Sequence, residues 1–112
     1  MSAWDVIVVG AGNAAFCAAR AVGVPFEVVV TSERAGFYKP NPAPYRLALA
    51  ELGLPAERLT FVAGSGFDLV GTAAVGMQTL WHNRAGIAKP PQAPAPFAER
   101  RTLRELRPFL PD

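Results

Sequence analysis

Gly10, Gly12, Asn13 and Ala15 follow directly on the apolar run Val6–Val9 and open an alanine-rich stretch. Glycines at that spacing turn backbone N–H groups toward one point at the start of a helix, where amides and helix dipole together stabilise a phosphate or carboxylate. The same residues also serve as a tight turn for close strand–helix packing, so the spacing alone leaves both uses open. Glu33 stands eighteen residues beyond Ala15, near the distance at which an acid reaches a ribose hydroxyl. Ser65 sits in Ala63-Gly64-Ser65-Gly66, which lacks the first glycine of a nucleophile elbow, and the lone His82 is no convincing base for it. That argues against a serine hydrolase. Cys17 is the only cysteine, so an internal disulfide is excluded, and in an alanine-rich helix it reads as a small core residue.

The elements that must position these residues alternate. Val6–Val9 is a continuous β-branched run of the kind buried on both faces of a parallel sheet, and residues 14–21 form a first helix ending before Gly23 and Pro25. Phe26–Thr31 is a second buried-strand run, followed by a loop over 32–40. Asn41 is suited to cap the next helix with Pro42 at its first position. Tyr45, Leu47, Leu49 and Leu52 supply that helix with apolar contacts, and Gly53 ends it. A third strand over 59–63, a Gly64-Ser65-Gly66 turn, a short helix from about Asp68 to Val75 and a fourth strand over 77–82 continue the pattern. Residues 86–96 carry four prolines and read as an extended strap, placed over 87–97. Thr102 and Glu105 have capping-box spacing before a terminal helix over 102–110, which Pro108 should bend or shorten.

Composition narrows the partners. The 112 residues carry a net charge of +2, and four of the nine arginines fall between Arg100 and Arg107. This is a local basic patch rather than a nucleic-acid-binding composition. The apolar runs are too short for a membrane span, and a single cysteine suits a reducing cytoplasm.

Four stretches carry a resemblance: 28–49 (VVVTSERAGFYKPNPAPYRLAL), 53–68 (GLPAERLTFVAGSGFD), 71–86 (GTAAVGMQTLWHNRAG) and 102–110 (TLRELRPFL). In order and spacing they resemble the C-terminal part of an L-2-haloacid dehalogenase of the haloacid dehalogenase superfamily. The resemblance implies that Lys39, in its YKP context, holds nucleophile and substrate carboxylates by charge. It implies that Asp68 helps organise the hydrolytic water, that Ser65 replaces a usual asparagine, and that Asn83-Arg84 is a structural pair. No cofactor is required by that chemistry. The family's opening strand with its nucleophilic aspartate, and its helical cap, have no counterpart here. Asp5 precedes its strand, about 15 Å from the ligand-binding end at roughly 3.3 Å per residue, and so does not replace the nucleophile. The segment around Gly10, Gly12 and Ala15 also resembles the GxGxxA fingerprint of flavin- and NAD-dependent enzymes, with FAD or NAD as the implied cofactor.

The expected fold is therefore α/β: a small three-layer, doubly wound, Rossmann-like parallel sheet of four strands in the order 2-1-3-4, forming one truncated domain over 1–112. The strand C-termini should hold a crevice for a small anion, with Lys39 leaning over it. Three functions fit this frame: a degenerate or incomplete hydrolase, a nucleotide-binding module, and a non-catalytic, chimeric or engineered structural domain. Apolar surface left by the missing strand and cap favours a homo-oligomer, a dimer being the simplest.

Overall fold

A computed structural model describes Val8–Val9, Val28 and residues 30–109. Its centre is a parallel sheet of β1 (Val8–Val9), β2 (Thr60–Ala63), β3 (Gln78–His82) and β4 (Ala98–Arg100), in the order β1-β2-β3-β4. Val9 pairs with Val62, Val62 with Leu80, and Leu80 with Ala98. The helices are α1 (Ser32–Ala35), α2 (Pro42–Leu52), α3 (Asp68–Ala74) and α4 (Leu103–Leu106), with 3-10 turns over Ala56–Arg58 and Arg107–Phe109.

Two expectations are corrected. Of the expected order 2-1-3-4, the run 1-3-4 is present as β1-β2-β3, and the fourth strand of the described sheet is not the expected second strand but Ala98–Arg100, beyond β3. Of the expected second strand, Val28, Val30 and Thr31 are not in a strand, while residues 26, 27 and 29 lie outside the described residues. The loop expected over 32–40 begins instead with α1. Thr31 caps it by accepting a hydrogen bond from the Arg34 N–H, Glu33 favours its first turn, and Gly36 ends it at φ 80°.

Elsewhere local chemistry explains the element ends. Asn41 accepts from the Ala43 N–H at the start of α2, and Gly53 closes that helix at φ 65°, a left-handed conformation that suits glycine. Thr102 accepts from the Glu105 N–H and donates to the Glu105 carboxylate, and the chain passes into the 3-10 turn around Pro108.

The parallel pleat divides the core. On one face Phe61, Ala63 and Trp81 pack with Tyr45 of α2 and Leu69 of α3, and on the other Val62, Leu80 and Ala98 are buried together. Between α3 and β3, Thr79 donates to the Thr72 hydroxyl at 2.6 Å and Thr72 donates to the Asp68 carbonyl at 2.9 Å. This relay of satisfied buried hydroxyls fixes the first turn of α3 to the sheet. No helix among the described residues is long and apolar enough to cross a membrane.

Candidate functional site

Three elements converge beyond the C-terminal end of β2. The loop before α2 brings Lys39, α2 brings Tyr45, and the turn from β2 into α3 brings Ser65 and Asp68. Lys39 Nζ lies 2.9 Å from Asp68 Oδ1, and the Tyr45 hydroxyl donates to the same oxygen at 2.5 Å. The Asp68 side chain is only 4% exposed and the Lys39 side chain 42% exposed, so the pair runs from the core to the surface. A buried carboxylate requires such partners, because its desolvation is otherwise prohibitive. Both contacts fall on Oδ1, which leaves Oδ2 without a partner among the described residues.

Lys39 also stands 5.8 Å from the centre of the Phe61 ring, a favourable place for an ammonium, and the Lys39–Pro40 peptide is cis. Burial first, and then the hydrogen bond and charge of Asp68, push the Tyr45 hydroxyl above its ordinary range, so it remains a donor at neutral pH.

Lys39, Pro40, Ser65, Phe67 and Asp68 line an open cleft of about 300 Å³. The Ser65 side-chain oxygen accepts from the Phe67 N–H at 3.2 Å, and its backbone carbonyl accepts from the Asp68 N–H. Ser65 thus shapes the turn into α3, and its hydroxyl proton remains able to donate into the cleft. Gly66 allows the close packing behind this turn, since a Cβ there would meet Pro90 Cδ at 2.8 Å and Trp81 Cζ2 at 3.0 Å.

Glu33 is exposed in the first turn of α1, and no contact joins it to this cleft. Gly10, Gly12, Asn13 and Ala15 lie outside the described residues, as does Cys17. His82 ends β3, half-buried. Sequence reasoning assigned Tyr45 only to the apolar side of α2 and so missed it. Its signal was the hydroxyl, since a tyrosine among core leucines needs a hydrogen-bond partner once buried. The second signal was Gly71 in mid-helix, where glycine is unfavourable without a packing reason. A Cβ at Gly71 would meet Tyr45 Cε2 at 2.0 Å and the Pro40 carbonyl oxygen at 2.8 Å.

The family model described as haloacid dehalogenase-like hydrolase matches residues 13–82, more than half of the sequence. The chain belongs to the haloacid dehalogenase-like hydrolases. Among family members, haloacetate dehalogenase H-2 of Moraxella sp. (strain B) is 36% identical over 63 residues, covering 56% of this chain and 28% of its own. The (S)-2-haloacid dehalogenase H-109 of Pseudomonas putida is 30% identical over 91 residues, covering 81% of this chain and 41% of its own. The crystal structure of an L-2-haloacid dehalogenase superimposes with a TM-score of 0.70 at 34% identity, over 78% of this chain and 38% of that one. This haloacid dehalogenase-like domain spans less than half the length of the curated relatives it matches.

Proposed function

We propose that this domain carries the anion-holding and water-orienting part of a hydrolase site of the haloacid dehalogenase type. The observation that carries the reading is the Tyr45–Asp68–Lys39 cluster at the mouth of the cleft. Lys39 has three N–H donors and spends one on Asp68, so the others are free to take a small carboxylate or phosphate in the cleft. Ser65 supplies a neutral donor beside it. With Oδ1 tied down, Asp68 presents Oδ2 to accept a hydrogen bond from a water. At about 300 Å³ the cleft lies at the low end of ligand-pocket volumes, which favours a small anion over a dinucleotide.

Carbon–halogen cleavage by the family's route begins with an anionic carboxylate attacking carbon at near-attack distance. Among the described residues Asp68 is the only acid lining the cleft, and its pairing with Lys39 and Tyr45 suits it to the water step rather than to attack. The reading is therefore anion binding without turnover unless a nucleophilic carboxylate is supplied. A nucleotide-binding alternative rests on the Gly10–Ala15 spacing and Glu33, and flavin absorbance of the purified protein would support it.

The test pairs binding with turnover. Propionate and inorganic phosphate titrated against the protein by NMR should bind, and Lys39→Gln should abolish binding while its amide still donates to the buried Asp68 and keeps the spectrum folded. Chloride release from 2-chloropropionate should stay at background. Release by the parent that is lost in both Lys39→Gln and Asp68→Ala would refute the reading and make Asp68 the nucleophile. Absence of anion binding in the parent would refute it as well.

A further inference from the structure

The C-terminal segment carries exposed aromatic rings and arginines with no ion pair among the described residues, and none of them lines the cleft. Phe97, just before β4, packs edge-to-face on Phe109 with ring centres 5.9 Å apart, and the Arg100 guanidinium lies 5.2 Å from the centre of the Phe109 ring. Phe97 and Leu103 are each 59% exposed, and Arg101 and Arg104 are exposed between and beside them. The described acids nearby accept hydrogen bonds from neutral side chains rather than from arginine. Glu99 accepts from the Asn83 side chain, and Glu105 accepts from Thr102. Arg100, Arg101 and Arg104 form no ion pair among the described residues, whereas Lys39 does.

We infer that Phe97, Arg100, Arg101, Leu103, Arg104 and Phe109 form a docking surface for an acidic peptide segment carrying apolar anchors. Charge complementarity decides the occupant, because three arginines with no acid partner among the described residues repel a cationic face and steer an acidic one. The exposed Phe97 and Leu103 give such a segment somewhere to bury its apolar side chains, which charge alone would not require. The stacking of Arg100 on Phe109, with one N–H donated to the Glu99 carbonyl at 2.7 Å, holds its guanidinium in place before any partner arrives. The Arg101 guanidinium lies beside Gly86, where a Cβ would meet it.

The experiment is fluorescence anisotropy with the whole chain and a short fluorescein-labelled peptide in which acidic residues are interleaved with Leu and Phe. Binding should occur, should weaken with salt, and should fall about tenfold in the double variant Arg101→Glu, Arg104→Glu, since surface charge pairs are individually modest. Replacing the peptide's Leu and Phe by Ser, or Leu103 by Ser in the protein, should also weaken it. Circular dichroism checks that the variants fold, and Arg104→Glu alone serves if the double variant does not. No binding, binding indifferent to these substitutions, or capture by phosphatidylglycerol vesicles without capture by the peptide would overturn the inference. So would self-association that the same charge reversal abolishes.

Discussion

Replacing Gly71 by Ala pits two physical effects of opposite sign against each other. In mid-helix the substitution relieves a glycine and, considered locally, stabilises α3 by about 1 kcal/mol. The added methyl, however, lands 2.0 Å from Tyr45 Cε2 and 2.6 Å from Cζ, with the Pro40 carbonyl oxygen behind it at 2.8 Å. Neither side yields cheaply, because the ring is 2% exposed and backbone stands beyond. Overpacking of this kind costs roughly 1–3 kcal/mol. Moving the ring also breaks the hydrogen bond from the Tyr45 hydroxyl to the Asp68 carboxylate, worth about 1.5–3 kcal/mol for a charged acceptor. The net expectation is a loss of about 2–4 kcal/mol, or a fall in Tm of about 8–16 °C at roughly 4 °C per kcal/mol. Thermal denaturation followed by circular dichroism reads this directly, with Gly64→Ala as the control because nothing lies within 4 Å of a Cβ there. If Gly71→Ala melts at or above the parent while Gly64→Ala is neutral, helix propensity has won and the tight fit of Tyr45 is refuted.

Tyr45→Phe should cost about 1.5–3 kcal/mol near neutral pH, measured by urea unfolding. Because burial and Asp68 raise the folded-state pKa of the hydroxyl above its ordinary 10.0, its contribution is fully present below pH 10 and is lost as pH rises beyond it. The gap between parent and variant should therefore narrow above pH 10, and a gap that widens there contradicts the assignment. Asn41→Ala should lose about 1 kcal/mol through the α2 cap, visible as a lower urea midpoint with unchanged slope. Asn83→Ala removes bonds to the Ile87 N–H, the Ile87 carbonyl and Glu99, and should cost about 3 kcal/mol by the same measurement.

What was legible in the sequence was what local chemistry writes down. Asn41-Pro42 and Gly53 mark α2 because a cap, a missing N–H and a left-handed residue each act within a few positions. β2 shows as an apolar run because both of its faces are buried, and β3 shows through Thr79, Leu80 and Trp81, buried in succession. β4 was not legible, since Ala98-Glu99-Arg100 has no strand-forming character. It joins the sheet through tertiary bonds, the Asn83 N–H to the Arg100 carbonyl and the Phe97 N–H to the Thr79 carbonyl. α1 was hidden by its four-residue length. Lys39, Ser65 and Asp68 were singled out by the resemblance to the dehalogenases, but a resemblance in sequence says nothing of the oxygen that Lys39 and Tyr45 share. That contact depends on how α2 crosses the start of α3, a relation set by packing around Gly71.

β4 also decides what β3 presents to other molecules. Gln78–His82 is the sequence QTLWH, and Leu80 and Trp81 within it are fully buried. Without a neighbour on its outer side, such a strand would offer an open row of N–H and C=O groups to any passing chain, the usual start of edge-to-edge aggregation. Three residues bearing Glu99 and Arg100 close that side with a short charged border, and the Asn83 side chain ties the border in place through Glu99. Damage to this tie would therefore register as lost solubility, from an edge that shares none of the residues lining the cleft.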